Sequence, residues 1–155
     1  MTRSRNPLPH LSGGLFLNDA GLETDIIFNK GVDIREFAAH TLLPDHMGRE
    51  VLSNYFREML LLADKSDAGF ILDCPTWKAH MHWAGDLAAS EDEIRQANTD
   101  SVAFAAGLRD EFPASEQPIV LNALIGPQGD AYAPEASVAA AEAEKYHAQQ
   151  IGWLA

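Results

Sequence analysis

Three short segments carry the residue types that could hold a small charged molecule. They are Asp19-Ala20-Gly21-Leu22-Glu23-Thr24, Asp73-Cys74-Pro75-Thr76 and Gly126-Pro127-Gln128-Gly129. Each follows a short apolar run: residues 15–19 merge into the first, 70–72 precede the second and 119–124 precede the third. An apolar strand that delivers Asp, Gly, Glu and Thr to its C-terminal end builds something polar there. Parallel α/β proteins place their sites at that end. Carboxylates accept hydrogen bonds from an ammonium group, and backbone amides freed by glycine hold a carboxylate. Together the three ends suit an amino acid ligand. A βα loop also needs Gly, Asp or Thr merely to turn and to cap a helix, so no segment decides the matter alone.

Other reactive side chains carry less. Cys74 is the single cysteine, which cannot make a tetrahedral thiolate site and reads as a buried structural thiol. His80-Met81-His82 has an i, i+2 pair that would share a face on a strand, but its segment reads as loop or helix and no third ligand is fixed. His40, His46 and His147 read as surface or capping histidines. Trp77 and Trp83 are placed to cover a pocket mouth or simply to pack over a loop.

The elements that must position these residues alternate in type. A first strand is expected over 15–19, then a short helix over 21–29 ended by Gly31. Pro44 and Asp45 suit a helix start. From 46 to about 67 the apolar residues Val51, Leu52, Tyr55, Phe56, Met59, Leu62 and Ala63 fall on one helical face. A strand at 70–72 follows, broken by Asp73 and Cys74. Residues 77–87 read as loop with a helical turn. Ser90-Glu91-Asp92-Glu93 matches a capping box and opens a helix to about 111. A third strand covers 119–124, and a helix rich in Ala and Glu covers roughly 134–151. Strand, helix, strand, helix, strand, helix means a parallel sheet with right-handed crossovers.

Composition narrows the function classes. The chain has 155 residues, 46% of them hydrophobic, which is enough for one domain with a sizeable core. Eleven basic against twenty-three acidic residues give a formal charge of -12. That balance disfavours nucleic acid and anionic membrane surfaces as partners. With one cysteine there is no internal disulfide, so a reducing, cytoplasmic setting is expected. The first ten residues carry Arg3 and Arg5 but no apolar stretch of a secretory signal. No apolar run approaches the length of a membrane span.

The order of motifs resembles the homocysteine S-methyltransferase family. Asn18-Asp19-Ala20-Gly21-Leu22-Glu23-Thr24 resembles its Asp-Gly-Gly-x-x-Thr-type opening. Leu62-Ala63-Asp64-Lys65-Ser66-Asp67-Ala68-Gly69 stands where the family has an Ala-Gly-Ala-Asp stretch. Asp73-Cys74-Pro75-Thr76-Trp77-Lys78-Ala79 resembles its Thr-Asn-Thr-Tyr-x-Ala segment, and Leu124-Ile125-Gly126-Pro127-Gln128-Gly129 its Gly-Pro-x-Gly turn. The match runs from about residue 15 to the C-terminus. It departs at Ala20-Gly21, at the polar run 64–67 and at Asp73-Cys74-Pro75.

The resemblance implies a (β/α)8 TIM barrel, of which this chain would be the N-terminal part, about three βα units with parallel strands. Residues 1–13 would be an N-terminal arm and 14–155 a partial homocysteine-binding barrel domain. The family moves a methyl group from a small donor (S-methylmethionine, betaine or methylfolate) to the homocysteine thiol, giving methionine. By position, Asp19 would sit near the substrate amino group, with Ala20 and Gly21 lining the same end. Glu23 and Thr24 would shape the loop, Thr76 would line the pocket and Gly126 would allow close approach of the third loop. The family uses zinc held by cysteine thiolates in later strands. Those ligands have no counterpart here, and Cys74 matches none of them, so this chain alone would bind rather than catalyse. Trp153-Leu154-Ala155 falls where a fourth strand would begin.

Two other readings stay open on the residues. One is a non-catalytic small-amino-acid-binding or self-associating half-barrel, since three βα units leave sheet edges that self-association would cover. The other is a different TIM-barrel or doubly wound enzyme. No Gly-x-Gly-x-x-Gly or phosphate loop follows the first strand, which disfavours nucleotides.

Overall fold

The computed structural model describes residues 8–19, 21–112, 117–129, 131 and 138–155. Three strands, β1 (Phe16–Asn18), β2 (Gly69–Cys74) and β3 (Ile119–Ala123), alternate with helices. A single helical turn, α1 (Leu22–Thr24), runs straight into a wider π turn (Asp25–Asn29). The long helices are α2 (His46–Lys65), α3 (Glu91–Asp110) and α4 (Ala140–Leu154). Single 3-10 turns at Arg35–Phe37, Ala39–Leu42 and Met81–Trp83 shape the connections. The sheet order is β1-β2-β3 and both pairings are parallel, as the alternation of elements requires.

The helix starts follow local chemistry. Asp45 accepts from the Gly48 amide at 2.8 Å and caps α2. Ser90 accepts from the Glu93 amide at 3.3 Å, while the Glu93 carboxylate accepts from the Ser90 amide at 2.8 Å. That closes the expected capping box of α3.

Several boundaries differ from the sequence expectation. Asp73 and Cys74 continue β2 rather than breaking it, because Asp73 pairs with Asn122 and Cys74 with Ala123 on β3. Long-range pairing here overrides a poor strand propensity. Residues 134–137, expected to open the last helix, lie outside the described residues. Its described part starts at Ala140, and Trp153 and Leu154 close it instead of opening a strand. His40 is buried at 6% exposure rather than on the surface, and burial lowers its pKa to about 4.

The two faces of the sheet are built differently. Strand side chains alternate, so Phe70, Leu72 and Cys74 share one face of β2. They join the main core with Leu52, Phe56 and Leu60 of α2 and Phe104, Ala105 and Leu108 of α3. Leu17, Ile119 and Leu121 pack on the same cluster. Each fully buried large side chain contributes roughly 1.5–3 kcal/mol. The other face carries Phe16, Ile71 and Val120, and at its C-terminal end Asp73 and Asn122. Phe16 lies flat across Gly69, where a Cβ would come within 2.4 Å of its ring. Asp73 and Asn122 are joined by a 2.6 Å hydrogen bond from the Asn122 amide.

Candidate functional site

The loop after β2 is held from beneath by buried polar side chains. Its carbonyls are removed from water and must find donors. Ser101 of α3 donates to Pro75 O at 3.4 Å, and Asn98 donates to Ala79 O at 2.6 Å. Gln150 of α4 donates to Thr76 O at 2.8 Å and to the Asn98 side-chain oxygen at 3.1 Å. Thr76 itself is fully buried, and its hydroxyl donates to Leu124 O at 2.8 Å. Thr76 therefore ties the second strand end to the third. It stands behind the pocket wall rather than on its surface.

Gly126 makes the same junction tight. A Cβ there would lie 2.1 Å from the Trp77 carbonyl oxygen. Only a residue without a side chain lets the third loop come this close, as the sequence expects. Trp77 and Trp83 then face outward into a cleft of about 650 Å³, with Gly21, Glu23 and Thr24 on its opposite wall. Lys78, Glu36 and Phe37 complete the rim. The Lys78 ammonium donates to Glu36 O at 2.6 Å and sits 3.6 Å over the Trp83 ring, a cation–π contact.

A smaller hollow of about 200 Å³ adjoins this cleft and shares Gly21, Glu23 and Trp77 with it. Asp19 and Asp73 line it. The ends of β1 and β2 thus bring two carboxyl groups together. Burial pushes the Asp73 carboxyl up to about 6; the Asn122 hydrogen bond opposes this and neighbouring Asp19 adds to it. Burial also raises Glu23 above the usual carboxylate range, against the pull of its own backbone amide, with Asp19 raising it further. Tyr55 of α2 donates to Asp19 at 3.3 Å. Three carboxyl groups therefore meet in partial burial, an arrangement that gains when a cation enters, because a positive charge relieves their repulsion.

Of the residues singled out in sequence, Asp19, Gly21, Glu23 and Thr24 surround the connected hollows. Thr76 and Gly126 support the wall, and Ala20 lies outside the described residues. Sequence reasoning did not place Asp73, Asn122, Tyr55, Lys78 or His80 in the site. Asp73 was in view as a strand-end residue. Tyr55 is read as a core position because its spacing matches the apolar face of α2.

The donor set does not fit a thiolate zinc centre. Cys74 points into the helix-facing core, and burial pushes its thiol up to about 11. Among the described residues no three His, Cys, Asp or Glu side chains are grouped to hold a metal ion. No described helix is long and apolar enough to cross a membrane.

No protein-family model and no curated protein matches the sequence. A solved structure does match the fold: the homocysteine methyltransferase MmuM from Escherichia coli, in its metallated form. The superposition has a TM-score of 0.69 and covers 96% of this chain at 15% identity. The fold is that of part of a TIM barrel. The chain spans 53% of the length of the MmuM chain, and its three-stranded open sheet corresponds to one portion of that barrel.

Proposed function

We propose that this chain is the substrate-binding part of a homocysteine S-methyltransferase-type protein. In the whole protein a small donor would pass its methyl group to the homocysteine thiol, giving methionine. The observation that carries the reading is the meeting of Asp19, Asp73 and Glu23 at the ends of parallel strands, in a fold similar to the MmuM barrel. The amino group of the substrate would sit against Asp19 and Asp73 and take the place of the proton that burial favours there. Gly21, Glu23 and Thr24 would close around it, with the Ala20 amide at the same corner. Thr76 and Gly126 would keep the loops of β2 and β3 in contact behind it. Residues 14–155 would form this partial barrel domain, acting in the cytoplasm.

The described residues do not supply the zinc chemistry of the family, so the proposal for this chain is binding. Titration calorimetry with L-homocysteine tests it directly. Saturable binding that Asp19→Asn weakens supports the reading, and no heat at millimolar ligand sinks it. For the whole protein, methionine formation with S-methylmethionine, betaine or methylfolate is the decisive assay.

A second reading has its own observation. Phe16, Ile71 and Val120 form a half-buried apolar face outside both core clusters, and β1 and β3 each pair on one edge only. A self-associating, non-catalytic half-barrel would cover that face. Light scattering separates the two: a monomer with a sharp melting transition argues against self-association.

A further inference from the structure

The cleft has a second polar end, away from the carboxylates, built around His80. His80 is 2% exposed and lines the cleft, yet its Nε2 has no hydrogen-bond partner. A buried ring nitrogen left unpaired is costly unless something else fills the position. The loop from the third strand comes right up to this atom, since a Cβ on Gly126 would lie 3.1 Å from it. The glycine therefore keeps the space in front of Nε2 clear.

The other ring nitrogen is engaged. Nδ1 of His80 is hydrogen-bonded to the Tyr146 hydroxyl, which α4 carries to this point. The same hydroxyl accepts from the His82 backbone amide at 3.1 Å. An amide can only donate, so one lone pair of the phenol oxygen is taken by His82. Nδ1 of His80 is the one acceptor within reach of the phenol hydrogen among the described residues. Burial raises the Tyr146 pKa, which keeps that hydrogen in place at neutral pH. Burial, with the nearby His82, His147, His40 and Lys78, lowers His80 to about 4, so the ring is neutral there. A neutral imidazole that accepts at Nδ1 carries its single proton on Nε2.

We infer that His80 is a ligand-binding residue whose Nε2–H donates to the carboxylate of the amino acid, and that Tyr146 is the positioning residue that fixes this tautomer. The inference rests on the proposed amino acid function of the cleft and extends it to the opposite end of the ligand. Asp19, Asp73 and Glu23 form the acidic end, and Lys78 and His80 stand at the donor end. A zwitterion matches both ends at once. A simple amine satisfies only the first, and a simple carboxylic acid only the second.

The test uses two ligands on the same chain: L-homocysteine and its decarboxylated counterpart, aminopropanethiol. His80→Leu is expected to weaken homocysteine roughly tenfold to a hundredfold, the range of a hydrogen bond to a charged group, and to leave aminopropanethiol unchanged. His80→Gln, which keeps an amide donor, retains more affinity than His80→Leu. Nitrogen-15 NMR of the histidine rings reads the tautomer without any ligand. The wild type should show His80 protonated at Nε2, and Tyr146→Phe should lose that single tautomer. A His80 protonated at Nδ1, or homocysteine affinity equal in wild type and His80→Leu, overturns the inference while leaving the amino acid site standing. If the wild type binds aminopropanethiol but not homocysteine, the carboxylate contact is wrong. If it binds neither, the function proposed for the cleft falls, and this inference with it. Should His80→Leu fail to fold, the Tyr146→Phe spectrum still decides the tautomer.

Discussion

The two faces of the small parallel sheet divide the work of the molecule. On one face Phe70, Leu72 and Cys74 are sealed by α2 and α3, and even the cysteine is locked there as a packing residue. On the other, the same strand presents Ile71 and then Asp73, which meets Asn122 and Asp19. One residue of register separates the faces, so the strand that builds the core also aims the carboxyl group into the candidate site. The core face gains its stability from apolar burial. The other face keeps titratable groups in partial burial, which costs stability and leaves them ready for a ligand.

The largest expected effect lies on the sealed face. Leu72→Ala should lower stability by about 2–5 kcal/mol, the range for emptying a well-packed leucine site. Ile71→Ala, one residue away on the other face, should cost clearly less, because Ile71 is only half-buried. Chemical denaturation of both variants checks this. Equal losses would mean that the second face is covered as tightly as the first, by self-association for instance.

The next effect tests the junction behind the site. Gly126→Val must push the Trp77 carbonyl or the third loop aside, and overpacking of this kind costs roughly 1–3 kcal/mol. Homocysteine binding should fall as well, since the same shift moves Trp77 in the cleft wall. Normal affinity with lowered stability would show that the junction supports the fold but not the site.

How much of this was legible in the sequence depends on the range of the interactions. The capping box at Ser90 and Glu93 and the apolar face of α2 are short-range patterns, and the structure forms both. The parallel order of strands follows from alternation alone. Asp73 as a strand residue was not legible, because its partner Asn122 lies on another strand, 49 positions away. Nor was the Tyr146 contact to His80, 66 positions apart, which only the packing of α4 against α3 creates. Gln150 looked like an ordinary residue of a polar helix. Its role appears only when the buried carbonyl of Thr76 needs a donor. The burial of His40 has the same origin.

Asp73 gives the pH signature of the open face. Its carboxyl titrates near 6 in the folded chain, above its ordinary value of 3.8. The folded state therefore holds this proton more tightly than the unfolded state. Its contribution is fully present below about pH 4 and is lost as the pH rises through about 6. Asp73→Asn should flatten the stability profile across that window. It should also raise stability at pH 7 by roughly 1 kcal/mol, after allowing for solvent screening at the strand end. Thermal melts at pH 4, 5, 6 and 7 read this out. An unchanged pH profile in Asp73→Asn would assign the titration to another group.

The smallest effect separates the two influences on that carboxyl group. Asn122 donates to Asp73 at 2.6 Å and favours its ionised form, while burial and Asp19 favour the protonated form. Removing the donor leaves only the second pair. Asn122→Ala should therefore shift the midpoint of the Asp73 transition upward from about 6, so that the loss of stability begins at higher pH. Asn122 is exposed, so little packing is lost and the sheet should keep its fold. Replacing Asn122 with Asp adds a negative charge instead of removing a donor, and should move the midpoint further in the same direction. If both substitutions leave it in place, Asp19 and burial alone set the proton. The strand pairing between Asp73 and Asn122 would then serve register rather than the charge state of the site.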